Sequence, residues 1–326
     1  MDIRQLRYFV AIVEQGSFSR AAAILHVAQP ALSLHVRNIE ADLGTPLLFR
    51  SPQGVVPTEA GEILLRNARI ILDHLVVTEE EIRGHKSDPS GVVRLGLPGT
   101  ISEILSVPLI IEARRRYPRI QLRIAEAMSG FVLEWMREAR IDLAVIYRKV
   151  SDTGLATVEL LEEELVFFAP AGGLGEGGQG EQCVLPEPGR RLSLADVARM
   201  PLILPGQDHG LRSLLDQHTK AARVELNVSI EVDSYSNIKE LVASGLGCSV
   251  LPLNAVSREV QAGSLAKWTI TDPPVRRSVH LASAVERPMT NAVAAIRGLV
   301  RELLRELARN GSWTGATELP EHPAED

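Results

Sequence analysis

Cysteine is almost missing: the 326 residues hold two, Cys183 and Cys248. A disulfide framework is excluded, and without a CxxC pair or a Cys/His cluster a structural zinc site has no ligand set. An excess of positive charge is missing too. Lys and Arg total 35 against 41 Asp and Glu, a net −6, so the chain does not hold nucleic acid by bulk charge alone. No run of about 18 apolar residues is available to span a membrane. The opening MDIRQLRYFV carries charges where a signal peptide needs its apolar stretch, which points to the cytoplasm. HExxH, P-loop, GxSxG and EF-hand patterns are absent, and the His residues are scattered without ligand spacing, so no enzyme, metal or cofactor is expected.

What is present is ordinary globular composition, 45% hydrophobic and 23% charged, in a length that suggests two or three folded units. Three regimes follow one another: short helical patterns over 1–58, one long helical pattern over 59–84, and from Val92 β-branched runs alternating with helices. The last regime predicts βαβ units and a largely parallel sheet. HKSDPSG (His85–Gly91) reads as the hinge between them. The glycine-rich Gly172–Gly180 reads as a flexible insertion, and the tail from Asn310 as disordered.

The first helix is expected from Ile3 to Glu14, with Leu6, Phe9, Val10 and Val13 on its apolar face and Gly16 as its stop. Ser17 and Ser19 offer N-caps for a second helix ending at Leu25. A third covers Gln29–Glu40, with Leu32, Val36 and Ile39 facing inward. Its outward set is Gln29, Ser33, Leu34, Arg37 and Asn38. Two short helices joined tightly, the second exposing donors and acceptors, form the helix-turn-helix pattern that enters the major groove. Thr45–Thr58 can then fold as a two-stranded wing with Arg50 near a phosphate. By periodicity alone a plain three-helix bundle with a polar face accounts for the triplet equally well. Residues 1–66 carry six basic and six acidic groups, so charge does not decide it.

Glu59 to Gly84 predicts one helix about 39 Å long. Leu64, Ala68, Ile71, Leu75, Thr78 and Ile82 alternate four and three apart, a heptad seam that packs either on its own domain or on a second copy of the chain.

The ordered string Gly16–Ser17–Phe18, Ala21–Ala22, Gln29–Pro30–Ala31–Leu32–Ser33, Glu40, Leu43–Gly44, Leu47–Phe49–Arg50 and Pro57–Thr58–Ala60–Gly61 closely resembles the N-terminal domain of the LysR family of bacterial transcriptional regulators. Within that family RQLRYFV, LHVAQPALS and PGTISEILSVPL look most like the nitrogen assimilation control group. The resemblance implies a winged helix-turn-helix with DNA contacts from Gln29, Pro30, Ser33, Leu34, Arg37, Asn38 and Arg50. Leu34 stands where the family usually has a polar or basic side chain, which suits a thymine methyl. Ala28 lacks the hydroxyl cap often found before Gln-Pro. The resemblance favours the intermolecular seam, hence a homodimer or homotetramer on double-stranded operator DNA, with RNA polymerase as a further partner.

In the remaining half, VVRLGLP leads into a helix carrying Thr100 and Ser102 at its N-terminus, where an anion is favoured. Strands follow at Arg119–Ala127, Ile141–Tyr147 and Glu163–Pro170. A second unit opens at PLILP, continues with a strand to Tyr235, a Ser236-capped helix and CSVLPL, and returns through LAKWTI and SVHLAS. Two α/β lobes, about 92–163 with 270–308 and about 164–269, then enclose a cleft. This region resembles the family's effector domain, of type 2 periplasmic-binding-protein fold. Carried over by position, Thr100, Ser102, Tyr147, Gln207, His209 and Arg212 would meet a small, anionic effector. The acidic run Glu162–Glu164 reads as a strand edge or solvated face, and Cys248 as buried. The rival reading is a cytosolic solute-binding or catalytic α/β protein, which predicts ligand affinity without sequence-specific DNA affinity.

Overall fold

A computed structural model describes residues 1–83, 88–147, 150, 153–174, 185–187 and 189–320. The N-terminal unit is α1 (Ile3–Gln15), α2 (Phe18–Leu25), α3 (Gln29–Leu43), β1 (Leu48–Ser51), β2 (Gly54–Pro57) and the long α4 (Glu59–Arg83). Asp2 starts α1 by a reciprocal capping box with Gln5, and Gly16 ends it in the left-handed conformation. Ser17 caps α2 through the Arg20 N–H. Phe9, Ile12, Leu32, Val36 and Ile39 are fully buried in one core. Ile12 joins that core although it lies off the predicted face.

The antiparallel β1–β2 pair sits on this core by backbone contact: Val55 N–H donates to Gly16 O at 3.0 Å. A Cβ on Gly54 would lie 2.8 Å from the same oxygen, so only glycine fits that approach. Gly61 of α4 is tighter still, since a Cβ there would stand 2.1 Å from Leu47 O.

The C-terminal unit begins with β3 (Gly91–Leu97), α5 (Gly99–Arg116), β4 (Ile120–Glu126), α6 (Ser129–Arg137), β5 (Leu143–Ile146) and β6 (Leu155–Pro170). It continues with β7 (Leu192–Ser193), α7 (Leu194–Ala198), β8 (Leu202–Leu204), α8 (Gly210–Ala222), β9 (Val228–Glu231), α9 (Tyr235–Ala243) and β10 (Ser249–Pro252). It closes with α10 (Leu253–Gln261), β11 (Leu265–Thr271), β12 (Arg276–Ala284), α11 (Asn291–Arg309) and β13 (Ala316–Glu318). The main sheet runs β4-β3-β5-β12-β6-β11-β7, with β10 and β13 also on β6, and β8-β9 form a separate parallel pair.

This sheet is mixed and not largely parallel. β3, β4 and β5 are parallel to one another, but β6 meets β10, β11, β12 and β13 antiparallel. The reason is that β6 is one 16-residue strand serving both lobes. Its first part carries β12, and its second part carries β10 and β11. The second lobe's core gathers Leu165–Ala169, Leu202–Leu204, Val250, Leu265, Trp268 and Ile270. LAKWTI therefore stays in the second lobe, and the return to the first is made by β12.

The tail corrects its expected disorder. Trp313 is only 1% exposed inside the first lobe's core, and β13 pairs with Leu161–Glu163. Composition averaged over the tail hides a single Trp that buries enough apolar surface to anchor it. Residues 321–326, the end of that tail, lie outside the described residues, as do 85–87 of the hinge and 175–180 of the glycine-rich insertion. α9 starts two residues earlier than predicted: Ser234 is its cap, so Tyr235 opens the helix instead of ending a strand.

Candidate nucleic-acid interface and effector cleft

Helix α3 divides cleanly. Leu32, Val36 and Ile39 are buried, while Gln29, Pro30, Leu34, Arg37 and Asn38 are exposed and Ser33 is half-buried. Leu34 shows 53% of its surface to solvent. Ala28 gives no side-chain cap, and the helix start is carried by Pro30 in its first turn. The wing is tied to α3 by Glu40, whose carboxylate accepts from Leu47 N at 2.9 Å and Leu48 N at 3.4 Å. Arg50 donates to Ser33 Oγ and to Glu40, each at 3.3 Å, and lies over the Phe18 ring. The structure thus brings Arg50 and Ser33 together, with Arg37 one turn further along α3 donating to Ser33 O at 3.4 Å.

On α4 the predicted seam splits. Ala68 is fully buried within its own chain, beside Gly61, Leu65 and Arg69, because that face packs on the N-terminal domain. Ala68 is therefore not free for a second copy. Ile71 and Ile82 are exposed, as is Ile63, while Leu64 and Leu75 are half-buried at the border of that stripe.

The head docks on the first lobe through ion pairs. Glu14, in the last turn of α1, accepts from Arg94 of β3 at 2.6 Å and Arg69 of α4 at 3.3 Å, and faces Arg123 of β4 at 3.6 Å. Arg69 also donates to Ala139 O at 3.2 Å. Further along α4, Asp73 pairs with Arg287, which also holds the buried Asp142 at 2.6 Å. Burial pushes the Asp73 carboxyl above its ordinary range, with Arg287 opposing. A cavity of about 130 Å³ opens between α4 and the start of α11, lined by Asp73, Asp142, Arg287 and Thr290.

In the cleft, only part of the expected set converges. Thr100, in the first turn of α5, hydrogen-bonds the Tyr147 hydroxyl. His209 caps α8 by accepting from Leu211 N at 3.1 Å, and its ring lies 5.5 Å from Tyr235. Burial, and then Arg277, holds the His209 imidazole below its ordinary value. Ser102 instead faces Ser106 at 3.0 Å, and Gln207 is exposed in the turn before α8.

Arg212 does not join this cluster. It is a buried residue of α8 whose guanidinium goes to Glu231 at 2.8 Å, Asp216 at 3.1 Å and Pro205 O at 3.4 Å, none of them in the cluster.

The centre of the cluster is a pair that sequence reading overlooked. Arg277 and Glu163 are cross-strand partners on β12 and β6, 5% and 2% exposed, and joined by a salt bridge. Glu163 is thus neither a strand edge nor solvated. Alternation in β6 turns it to the face opposite Glu162 and Glu164. That period-2 argument was the available signal for Glu163, but nothing local marked Arg277 over its neighbour Arg276. The second oxygen of Glu163 accepts from Trp313 Nε1 at 2.9 Å. The Arg277 guanidinium lies 3.4 Å from the Tyr147 ring centroid, and its Nη2 reaches Thr100 Oγ1 at 3.5 Å. Burial alone would depress Arg277, but Glu163 and the two tyrosines hold it protonated above the usual range.

Comparison with known proteins agrees with this architecture. Residues 3–62 match the bacterial regulatory helix-turn-helix protein, lysR family, and residues 86–305 match the LysR substrate binding domain. The chain is 31% identical over 307 residues to the nitrogen assimilation regulatory protein nac of Escherichia coli (strain K12), spanning 93% of this chain and 95% of that protein. It is 28% identical over 315 residues to the HTH-type transcriptional regulator BbuR of Bordetella bronchiseptica, spanning 97% and 94%. A full-length OxyR variant from Pseudomonas aeruginosa superposes with a TM-score of 0.77 at 23% identity, over 99% of both chains. Full-length CbnR complexed with its target DNA gives 0.51 at 23% identity, over 93% and 99%.

Proposed function

This chain belongs to the LysR family of transcriptional regulators, with a DNA-binding head and an effector-binding domain, and from that premise we propose how its own residues divide the work. α3 lies in the major groove. Gln29, Ser33, Arg37 and Asn38 meet base edges, Leu34 meets a thymine methyl, and Pro30 and Arg50 lie against the backbone. The observation that carries this is the one-sided α3, with five candidate contacts exposed and the opposite face sealed in the core. To reach a phosphate, Arg50 exchanges its exposed bond to Glu40 for the DNA.

A second copy of the chain pairs on the Ile63, Ile71 and Ile82 stripe of α4, placing two heads on a dyad, and pairs of dimers make the tetramer. A small effector between the lobes shifts the population of effector-domain packings. The Glu14 and Asp73 ion pairs pass that shift to the head, since they join α1 and α4 to the first lobe. RNA polymerase would meet the same promoter-bound assembly, and a cytoplasmic location fits that reading.

The test is a nuclease footprint on DNA upstream of the protein's own gene, with a salt titration. A protected dyad with half-sites about one helical turn apart, or a multiple of it, is expected to survive competitor DNA. Binding that is purely non-specific and lost steeply with salt, followed by failure to select any sequence from random DNA, would reject the reading.

A further inference from the structure

The two lobes are joined covalently by two crossing segments. β6 passes from the first lobe to the second at Glu164–Leu165, and residues 272–275 bring the chain back from β11 to β12. A joint of two extended segments turns easily, because few residues have to absorb the change in backbone angle. The stretch after α11 adds a third connection, and this one is not covalent. We propose that Trp313–Leu319 is a strap that bridges the lobes across the β6 crossing and limits how far they turn against each other.

The strap is held heavily at the first lobe and lightly at the second. Trp313 is sealed in the first lobe's core, and its Nε1 donates to Glu163 at 2.9 Å. β13 pairs with Leu161–Glu163, Leu319 N donates to Leu160 O at 3.2 Å, and Glu318 meets Arg305 at 3.4 Å and Arg309 at 2.9 Å on α11. Toward the second lobe there is one hydrogen bond and one close approach, both at the start of α10. Thr314 N donates to Asn254 Oδ1 at 3.3 Å, and Gly315 lies against Leu253. Gly315 has φ of 83°, and a Cβ on it would stand 2.9 Å from Leu253 Cβ. Glycine is what allows the chain to pass α10 in that conformation and at that distance. The unequal ends mean that the strap stays with the first lobe whenever the second lobe turns away.

The pairing of β6 shows why the crossing needs this segment. In the second lobe β10 and β11 flank it, down to Pro252 opposite Leu165 and Thr269 opposite Val166. In the first lobe β12 and β13 flank it, with β13 starting at Ala316 opposite Glu163. The gap between β10 and β13 falls at the crossing, and Gly315 O closes it by accepting from Glu164 N at 2.9 Å. The next amide, Leu165 N, donates to Val275 O at 3.0 Å. Adjacent amides at the pivot are therefore held by different connections, Glu164 by the strap and Leu165 by the covalent return. Without the strap, the Glu164 N–H loses its partner at the point where β6 must bend. Thr314 and Gly315 are neighbours, so the bond to Asn254, the contact with Leu253 and the bond to Glu164 give way together. The lobes thus have a resting angle, and the second lobe turns as a body once these contacts open. This holds whatever binds between the lobes.

The experiment is residue-resolved amide hydrogen exchange on the full-length protein under native conditions. Gly315→Ala pushes the strap off Leu253 and leaves Trp313 in place. It should speed exchange about tenfold at both Glu164 and Leu165, while the buried Leu304 of α11 and Leu215 of α8 exchange as in wild type. Leu165 is the telling position: it is not bonded to the strap, so its acceleration reports motion of the lobes and not a frayed tail. Asn254→Leu removes only the acceptor of Thr314 and should speed both amides about threefold. Asn254→Asp keeps an oxygen there and should exchange like wild type. The strap is overturned if Gly315→Ala and Asn254→Leu accelerate Glu164 alone, or neither amide. It is equally overturned if Leu304 and Leu215 accelerate as much as the pivot, since that is a general loss of stability, or if Asn254→Asp behaves like Asn254→Leu. The footprint is a separate measurement: its failure removes the regulator and leaves the strap, and unchanged exchange beside an intact footprint does the reverse.

Discussion

Arg37 is exposed on the outward face of α3, and its Nε bond to Ser33 O at 3.4 Å costs little to release. Arg37→Ala is therefore expected to weaken specific DNA binding by about 1–3 kcal/mol and to relax preference at one base pair. Competition binding with single-base operator variants checks this, and unchanged discrimination removes Arg37 from the base-reading set. His209 supplies a pH test. Its folded imidazole titrates below the ordinary 6.5, through burial and then Arg277, with Asp233 opposing. Below 6.5 the unfolded chain takes up a proton that the folded chain resists, so stability falls as pH drops through that window. Wild type should lose Tm from pH 7 toward 5 more steeply than His209→Gln. Parallel melting curves across that range would sink the assignment.

Helices and strands show where pattern and packing part company. The α4 seam was spaced as a heptad, yet the fold spends its Ala68 edge on the N-terminal domain and leaves Ile63, Ile71 and Ile82 outside. A heptad states which residues share a stripe, but it does not say which neighbour covers that stripe. Ile71→Asp with Ile82→Asp should leave the monomer's fold intact, since both positions are solvent-facing, and shift the dimer toward monomer by at least tenfold. Sedimentation equilibrium measures it, and an unchanged association constant would move the interface elsewhere. β6 makes the same point for strands. Its length was hidden because the sequence reads as a strand only over Glu163–Pro170, while the sheet extends it back to Leu155.

For the whole molecule, the junction between head and first lobe is the feature with most consequence. Glu14 sits where three arginines from α4, β3 and β4 converge, so one carboxylate ties the head to the effector domain. Glu14→Gln keeps the shape and removes the charge, losing about 1.5–3 kcal/mol for each strong charge-assisted bond. The head should then populate undocked orientations, seen as a larger radius of gyration in small-angle scattering and a lower Tm. Identical scattering from the variant and wild type would show that the clasp carries no orientation.

Local pattern by itself determined three short helices, the inward and outward faces of α3, the long helix and the α/β character of the rest, while the family resemblance was needed to read the triplet as a winged helix-turn-helix. Each of these follows from periodicity, caps and turn residues within a few positions of one another. Tertiary structure alone decided the remainder: the mixed sheet around β6, the buried Trp313 in a polar tail, and Arg212 turned to Glu231. It also placed the Arg277–Glu163 pair, 114 residues apart in the chain, at the centre of the cleft. A side chain's charge says that it needs a partner when buried, but only the packing of distant strands decides which residues are buried and which partner is within reach.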